Sequence, residues 1–250
     1  MIITVSSLKG GVGKTTLTAF LAQALKAMGK KVLVVDLDHN NNLTDYALRE
    51  VGTEQIEARN IRQVLTHKAT AQECIWSGRE SRDGISTMGP FGDIIPATPS
   101  LAQVGYELAM DGGAVLRFRK NMRDLECYDF VLIDTPPSLC IELSAGLYAA
   151  DMVLVPVSAS RWTVQGYQVI EAEVVKIGDT LGKAPRMLAV PSMVSESEAE
   201  TLREVEIWKA TATSIRRDPS IRAAASEGRA LREGTIAAEA FRALAEEVVG

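Results

Sequence analysis

The apolar run Ile2–Val5 leads into Lys9-Gly10-Gly11-Val12-Gly13-Lys14-Thr15-Thr16, and a long apolar stretch of helical period follows at once. A strand, a glycine-rich turn and a helix in that order are the context a phosphate-binding loop demands. Glycines let the backbone wrap around phosphates with its N–H groups pointing inward, and the positive end of the following helix adds to the attraction. Lys14 is placed to reach the β and γ phosphates of a nucleotide, and the Thr15 hydroxyl to ligate Mg²⁺.

The rest of the chain repeats the strand-then-helix order. Short apolar, β-branched runs at Ile2–Val5, Lys31–Asp36, Ile94–Ala97, Asp129–Asp134, Met152–Val157, Arg186–Val190 and Ala212–Arg216 read as strands, with Ile85–Met88 as a further edge strand. Between them Lys14–Met28, Leu101–Met110, Ala114–Glu126, Leu139–Ala149, Thr163–Leu181, Glu198–Lys209 and Ile236–Val249 read as helices. The pattern predicts an α/β fold of three layers, a mostly parallel sheet flanked by helices on both faces. Thr53 to Asp83 is the least regular stretch and is expected to be a variable surface segment.

With 250 residues, 46% hydrophobic and 24% charged, the composition fits one globular domain over residues 1–250. No window approaches the roughly 20 apolar residues of a membrane span, and the first strand begins too early for a cleavable signal, so a cytoplasmic protein is expected. Cys74, Cys127 and Cys140 are scattered singly, which suggests neither a disulfide framework nor a zinc site and predicts buried thiols. The net charge of −5 repels polyanions, so contact with nucleic acid requires a local basic patch.

The general phosphate-loop pattern wants a glycine at position 8, where this chain has Leu8. It carries instead a second lysine, Lys9, five residues before Lys14. A second cation so close to one triphosphate exceeds what binding requires, and predicts that Lys9 reaches a phosphate across a subunit interface. The string KGGVGKTT resembles the deviant Walker A motif of the ParA/MinD family of P-loop ATPases without a change. The likeness extends over nearly the whole chain, through Val35–Asp38 and Tyr128–Ser138 to the closing helix Ala240–Val248. It implies a P-loop NTPase fold and a two-fold homodimer that sandwiches two ATP molecules. Lys9 would contact the partner's nucleotide, and Gly11 would lie at the dimer seam.

Two aspartates end the second strand. By position Asp38 matches the family's residue that orients the attacking water, a role suited to a carboxylate beside Mg²⁺ and the γ-phosphate. Asp36 is read as holding the loop or the metal's water shell. His39-Asn40-Asn41-Asn42 then stands where the family usually has Pro-Gln-Gly-Asn, and His39 is expected to be a surface loop histidine. The apolar run ending in Asp134 is a Walker B arrangement, so Thr15, Asp38 and Asp134 form the expected metal set. Pro136-Pro137 fixes a second switch. The run Val190-Pro191-Ser192-Met193 resembles the family segment bordering adenine, which nominates Pro191 and Met193.

Ile215 to Arg232 carries Arg216, Arg217, Arg222, Arg229 and Arg232 against Asp218 and Glu227, a net +3 in an acidic protein. Arginines of this kind grip DNA phosphates without reading bases. The closing helix is acidic and alanine-rich with no lysine, unlike the detachable amphipathic helix of a membrane-bound MinD-like protein, so no stable membrane association is expected. The cysteine placement argues against the iron–sulfur cluster of the family's redox members. The resemblance therefore implies a ParA-type partition ATPase lacking an N-terminal helix-turn-helix domain. It would associate with the nucleoid as an ATP-closed dimer and release DNA when a ParB-like adaptor stimulates hydrolysis. Positioning of a protein cargo by the same machinery is the alternative, and a membrane-bound division-site regulator is a third.

Overall fold

The computed structural model describes residues 1–77 and 90–250. Seven strands, β1 (Ile2–Val5), β2 (Val32–Asp36), β3 (Asp93–Ile95), β4 (Phe130–Asp134), β5 (Met152–Val157), β6 (Arg186–Val194) and β7 (Ile215–Arg216), form one sheet in the order β3-β2-β4-β1-β5-β6-β7. Every ladder between them is parallel. Parallel neighbours need helical crossovers, which cover both faces and leave strands buried on both sides. The central strands accordingly read as unbroken apolar runs, and every residue of β1, β2, β4 and β5 is buried.

The helices are α1 (Lys14–Ala27), α2 (Asn42–Ala47), α3 (Thr53–Ala58), α4 (Ile61–Leu65), α5 (Val104–Glu107), α6 (Ala114–Arg123), α7 (Ile141–Ala149), α8 (Arg161–Leu181), α9 (Glu196–Arg203), α10 (Pro219–Glu227) and α11 (Ile236–Val249). Strand periodicity divides them into layers. Ile3, Val5, Val32 and Val34 pack with Leu17, Leu21 and Leu25 of α1 and Phe241 and Leu244 of α11. Ile2, Leu33 and Val35 face the opposite way, toward Ile61 and Val64 of α4 and Phe118 and Met122 of α6. Under β5 and β6, α7, α8 and α9 complete that second layer around Val153, Val155, Tyr167 and Trp208.

Several boundaries differ from the sequence expectation for local reasons. The expected strand Ala212–Arg216 contracts to Ile215–Arg216. The helix expected at Leu101–Met110 opens instead as a 3₁₀ turn, Pro99–Gln103, and continues as the single turn α5. α9 begins two residues early because Ser195 and Glu198 make a reciprocal capping box. It stops at Arg203 because the chain turns to bury Trp208, whose indole N–H donates to the Leu202 carbonyl at 2.8 Å. The stretch Thr53–Asp83 contains α3, α4 and a 3₁₀ turn at Gln72–Cys74, and its last residues fall outside the described ones. The candidate strand Ile85–Met88 also lies outside the described residues. Cys74 is buried and Cys140 half-buried, whereas Cys127 is exposed, against the expectation of three buried thiols. Among the described residues no helix is long and apolar enough to cross a membrane.

Candidate functional site: a phosphate loop ringed by carboxylates

β1 delivers the glycine loop to the carboxyl rim of the sheet, and α1 starts at Lys14 with no intervening turn. Gly11 and Gly13 take positive φ values of 73° and 89°, the left-handed region open to glycine at little cost. At Gly13 there is crowding as well, since a Cβ would lie 3.4 Å from Ser192 Oγ and 3.6 Å from Met193 Sδ. At Gly11 a Cβ would meet nothing within 4 Å of its own chain. The Lys14 side chain is buried and folds back so that its Nζ donates to the Lys9 carbonyl at 3.4 Å. Lys9 is half-buried, and among the described residues no hydrogen bond or ion pair engages its ammonium.

Three carboxylates crowd the loop, Asp36 and Asp134 ending strands and Asp38 two residues past β2, and each is held differently. Asp134 is buried at the end of β4, where its Oδ2 accepts the Thr15 hydroxyl at 2.6 Å. Asp36 is wholly buried at the end of β2: its Oδ1 accepts the Asp38 N–H at 3.0 Å, and its Oδ2 accepts both the N–H and the hydroxyl of Thr44 at 2.9 and 2.8 Å. Asp38 is buried too, with Oδ1 accepting the backbone N–H and the side-chain amide of Asn40, each at 2.9 Å. Burial drives the Asp134 carboxyl well above the usual carboxylate range, Asp36 adds to the rise, and Thr15 and Lys14 oppose it. Burial likewise raises Asp36 against the hydrogen bonds from Thr44. Lys14 is lowered by burial, with Asp134 and Asp38 pulling the other way.

A cluster of like charges held out of water calls for a compensating cation. Thr15 and Asp38 line the cleft, with the Asp134 carboxylate behind Thr15 and bonded to its hydroxyl; all three offer oxygen, the set a small hard divalent ion such as Mg²⁺ takes alongside phosphate and water. Asp36 has both oxygens committed to backbone and Thr44, which fits its structural reading. The cleft itself measures about 630 Å³ and is bordered by Gly10, Gly11, Lys14, Asp38, Asn40 and Pro137, so the segments after β2 and β4 both face the loop. His39 is half-buried beside it.

A smaller cavity of about 190 Å³ opens behind Gly13 and Thr16. Met193, Ile215 and Ile221 give it apolar walls of the kind a planar base occupies. Met193 reaches it through a left-handed backbone, φ 57°. Pro191 does not: it is buried inside β6, in register with Val157, and Ser192 takes its place in the lining. The same cavity is lined by Arg216, Arg217 and Arg222, nominated from sequence as DNA contacts. Arg217 Nε donates to the Met193 carbonyl at 2.7 Å, and Arg216 is ion-paired with Glu196. Arg229 pairs with Glu227, while Arg232 is exposed and has no ion pair among the described residues. The cause is α10, a helix that the sequence pattern did not predict, which turns residues 216–222 toward the loop and leaves 229 and 232 on the turn beyond it. Its signals are Asp218 as N-cap, Pro219 in the first turn and Gly228 at the end.

Comparison with known proteins adds the lineage. A family model described as an AAA domain matches residues 1–186. The chromosome-partitioning ATPase Soj of Thermus thermophilus is 31% identical over 257 residues, spanning 99% of this chain and 94% of Soj. The chain belongs to the ParA/MinD family of P-loop ATPases. Another relative of this ParA/MinD protein, the maintenance of carboxysome distribution protein A of Synechococcus elongatus, is 31% identical over 64% of this chain and 59% of its own length. Among solved structures, apo McdA of Cyanothece superposes with a TM-score of 0.82 at 23% identity, covering all of this chain and 99% of the other. Cobyrinic acid a,c-diamide synthase of Mycobacterium smegmatis, with bound ATP analog and magnesium, superposes at 0.77 and 23% identity over 99% and 93% of the two chains. Both share the fold.

Proposed function

We propose that this ParA/MinD family member is a partition ATPase, an ATP-dependent homodimer that holds DNA without reading its sequence and lets go on hydrolysis. One observation carries the reading: Lys9, on the phosphate loop itself, is half-buried and its ammonium has no partner among the described residues of its own chain. Beside it, Gly11 leaves its surface clear for close approach by a second copy.

In the closed dimer the loop amides and Lys14 bind one triphosphate, and Lys9 of each subunit reaches the nucleotide of the other. Thr15, Asp134 and Asp38 are the residues that would hold Mg²⁺ here. That ion, when bound, neutralises charge on the β and γ phosphate oxygens. Asp38, kept in place by Asn40, orients the attacking water. Met193, Ile215 and Ile221 wall the base, with Arg217 and Arg222 beside it. Arg232 and Arg229 on the turn after α10 are the better-placed DNA contacts, doubled by two-fold pairing into a surface whose grip is salt-sensitive. A ParB-like adaptor supplies the stimulus for hydrolysis.

Mobility shift of duplex DNA with ATP, ADP or no nucleotide tests this directly. Retention with ATP alone is expected, together with an ATP-dependent dimer on size exclusion that Lys9→Ala abolishes. Equal retention in all three states, or a Lys9→Ala dimer as stable as wild type, would remove the reading. A second reading, positioning of a protein cargo by the same DNA grip, is favoured by the likeness to the carboxysome distribution protein. A neighbouring gene for a cargo protein instead of a DNA-binding adaptor would support it. Membrane regulation is disfavoured by α11, whose apolar residues Phe241, Leu244, Ala245 and Val248 are buried in the core beside α1.

A further inference from the structure

The turn bearing Arg229 and Arg232 is tied to the nucleotide loops by three side chains, of which Tyr46 and Arg49 also border the cleft and Gln23 does not. From α1, the Gln23 amide brackets Leu231: its Nε2 donates to the Leu231 carbonyl at 3.2 Å, and its Oε1 accepts the Leu231 N–H at 3.1 Å. From α2, the Tyr46 hydroxyl donates to the Arg229 carbonyl at 2.7 Å. One turn further along, Arg49 donates to the Ala225 carbonyl at 3.3 Å and lies across Gly228, where a Cβ would come within 2.9 Å of its Nε.

The two anchors differ in mechanical character. α1 is a buried helix continuous with the phosphate loop, its Leu17, Leu21 and Leu25 sealed in the core. α2 is short and enters through Asn41, a non-glycine residue in the left-handed region at φ 46° with no side-chain cap. Such a conformation is costly and persists only when its surroundings impose it. What imposes it is the Asp36 carboxylate, joined through one oxygen to the Asp38 N–H and through the other to Thr44 on the first turn of α2. A route of hydrogen bonds and helix backbone therefore runs from Asp38 through Asp36 to Thr44, along the backbone of α2 to Tyr46, and on to the backbone of Arg229.

We infer that Gln23 and Tyr46 are positioning residues that transmit the state of the Asp38 loop to the arginine turn, Gln23 as its fixed anchor and Tyr46 as its moving one. When the loop closes on a γ-phosphate, α2 shifts against α1, and a turn bonded to both must change its presentation. Coupling between sites needs an element that both bias, and the junction of α2 with the turn is that element. The purpose of the coupling rests on the DNA-holding reading above, but its geometry does not.

Tyr46→Phe removes only the hydroxyl and keeps the ring against Phe91 and Phe20, 5.3 and 6.0 Å away between centroids. Gln23→Met keeps the length and loses both bonds, whereas Gln23→Glu keeps the acceptor for the Leu231 N–H. Hydrogen exchange of amides 225–235 should differ between ATP-bound and ADP-bound wild type. That difference should vanish in the double Gln23→Met, Tyr46→Phe variant and partly return with Gln23→Glu. Retention on DNA with ATP should fall roughly fivefold or more in the double variant, with nucleotide affinity of Gln23→Met unchanged. An exchange difference that survives in the double variant, or its absence in wild type, overturns the inference. Wild type that shows the exchange difference yet binds DNA equally with ATP and ADP supports the coupling and overturns the DNA reading.

Discussion

Asp134 illustrates how a single buried carboxylate trades stability for binding. It is 1% exposed, its proton is held more tightly in the folded chain than in the unfolded one, and Asp36 beside it adds to the strain. By linkage such a group contributes stability at acid pH that is lost as pH rises through the raised pKa. Asp134→Asn should therefore raise the melting temperature of the nucleotide-free protein at neutral pH, by about 2–4 °C for each kcal/mol relieved. It should also erase the upward shift that Mg²⁺ and ATP give wild type. Scanning fluorimetry with and without nucleotide reads both effects, and a variant that melts lower when free contradicts the account. That Lys14, Thr15, Asp38 and Asp134 come together in the fold was legible because each sits at a fixed offset from a glycine loop or a strand end. Thr44, which holds Asp36, was not, because nothing along the chain marks two residues eight apart as partners. Pro191 lies inside β6 instead of in the lining, where the pleat places Ser192 and a left-handed backbone places Met193, a turn of the chain that the string alone does not show.

Helix α7 carries the equivalent lesson at the level of elements. It packs on the sheet through Gly146, where a Cβ would lie 3.0 Å from Thr135 Cγ2 and 3.2 Å from Thr4 Cγ2, and where the carbonyl accepts the Thr4 hydroxyl at 2.7 Å. Gly146→Ala should overpack this junction at a cost of about 1–3 kcal/mol, seen as a lower melting temperature by circular dichroism. An unchanged melt would mean that the helix rides clear of the strands. Thr135 immediately precedes Pro136 and Pro137, so the crowded junction adjoins them along the chain. Strands and long helices were readable from period and length, as β1, β2, β4, β5, α1 and α11 show. Short helices were not: α2, α3 and α4 have too few turns for a period to emerge. α10 is short as well, and only its capping residues distinguish it from an arginine-rich loop.

For the molecule as a whole, an excess of five negative charges makes any hold on DNA local. Charge was visible in the sequence, but its direction was not, because only the fold separates cavity arginines from those on the outer turn. Arg232→Glu should weaken ATP-dependent DNA binding and lower the salt slope by about one for each phosphate no longer neutralised, leaving nucleotide affinity intact. Arg222→Glu should weaken both, because it lines the cavity behind Gly13. Anisotropy titrations of labelled DNA and labelled nucleotide over a range of salt distinguish them, and the reverse pattern would exchange their roles. All seven strands run the same way, so the loops around the triphosphate leave by one rim, while Met1 lies at the other with its ammonium donating to the Asp129 carbonyl at 2.7 Å. A dye or surface tether attached at that end would stand clear of the phosphate loop and the cleft beside it, so nucleotide binding can be watched without obstruction.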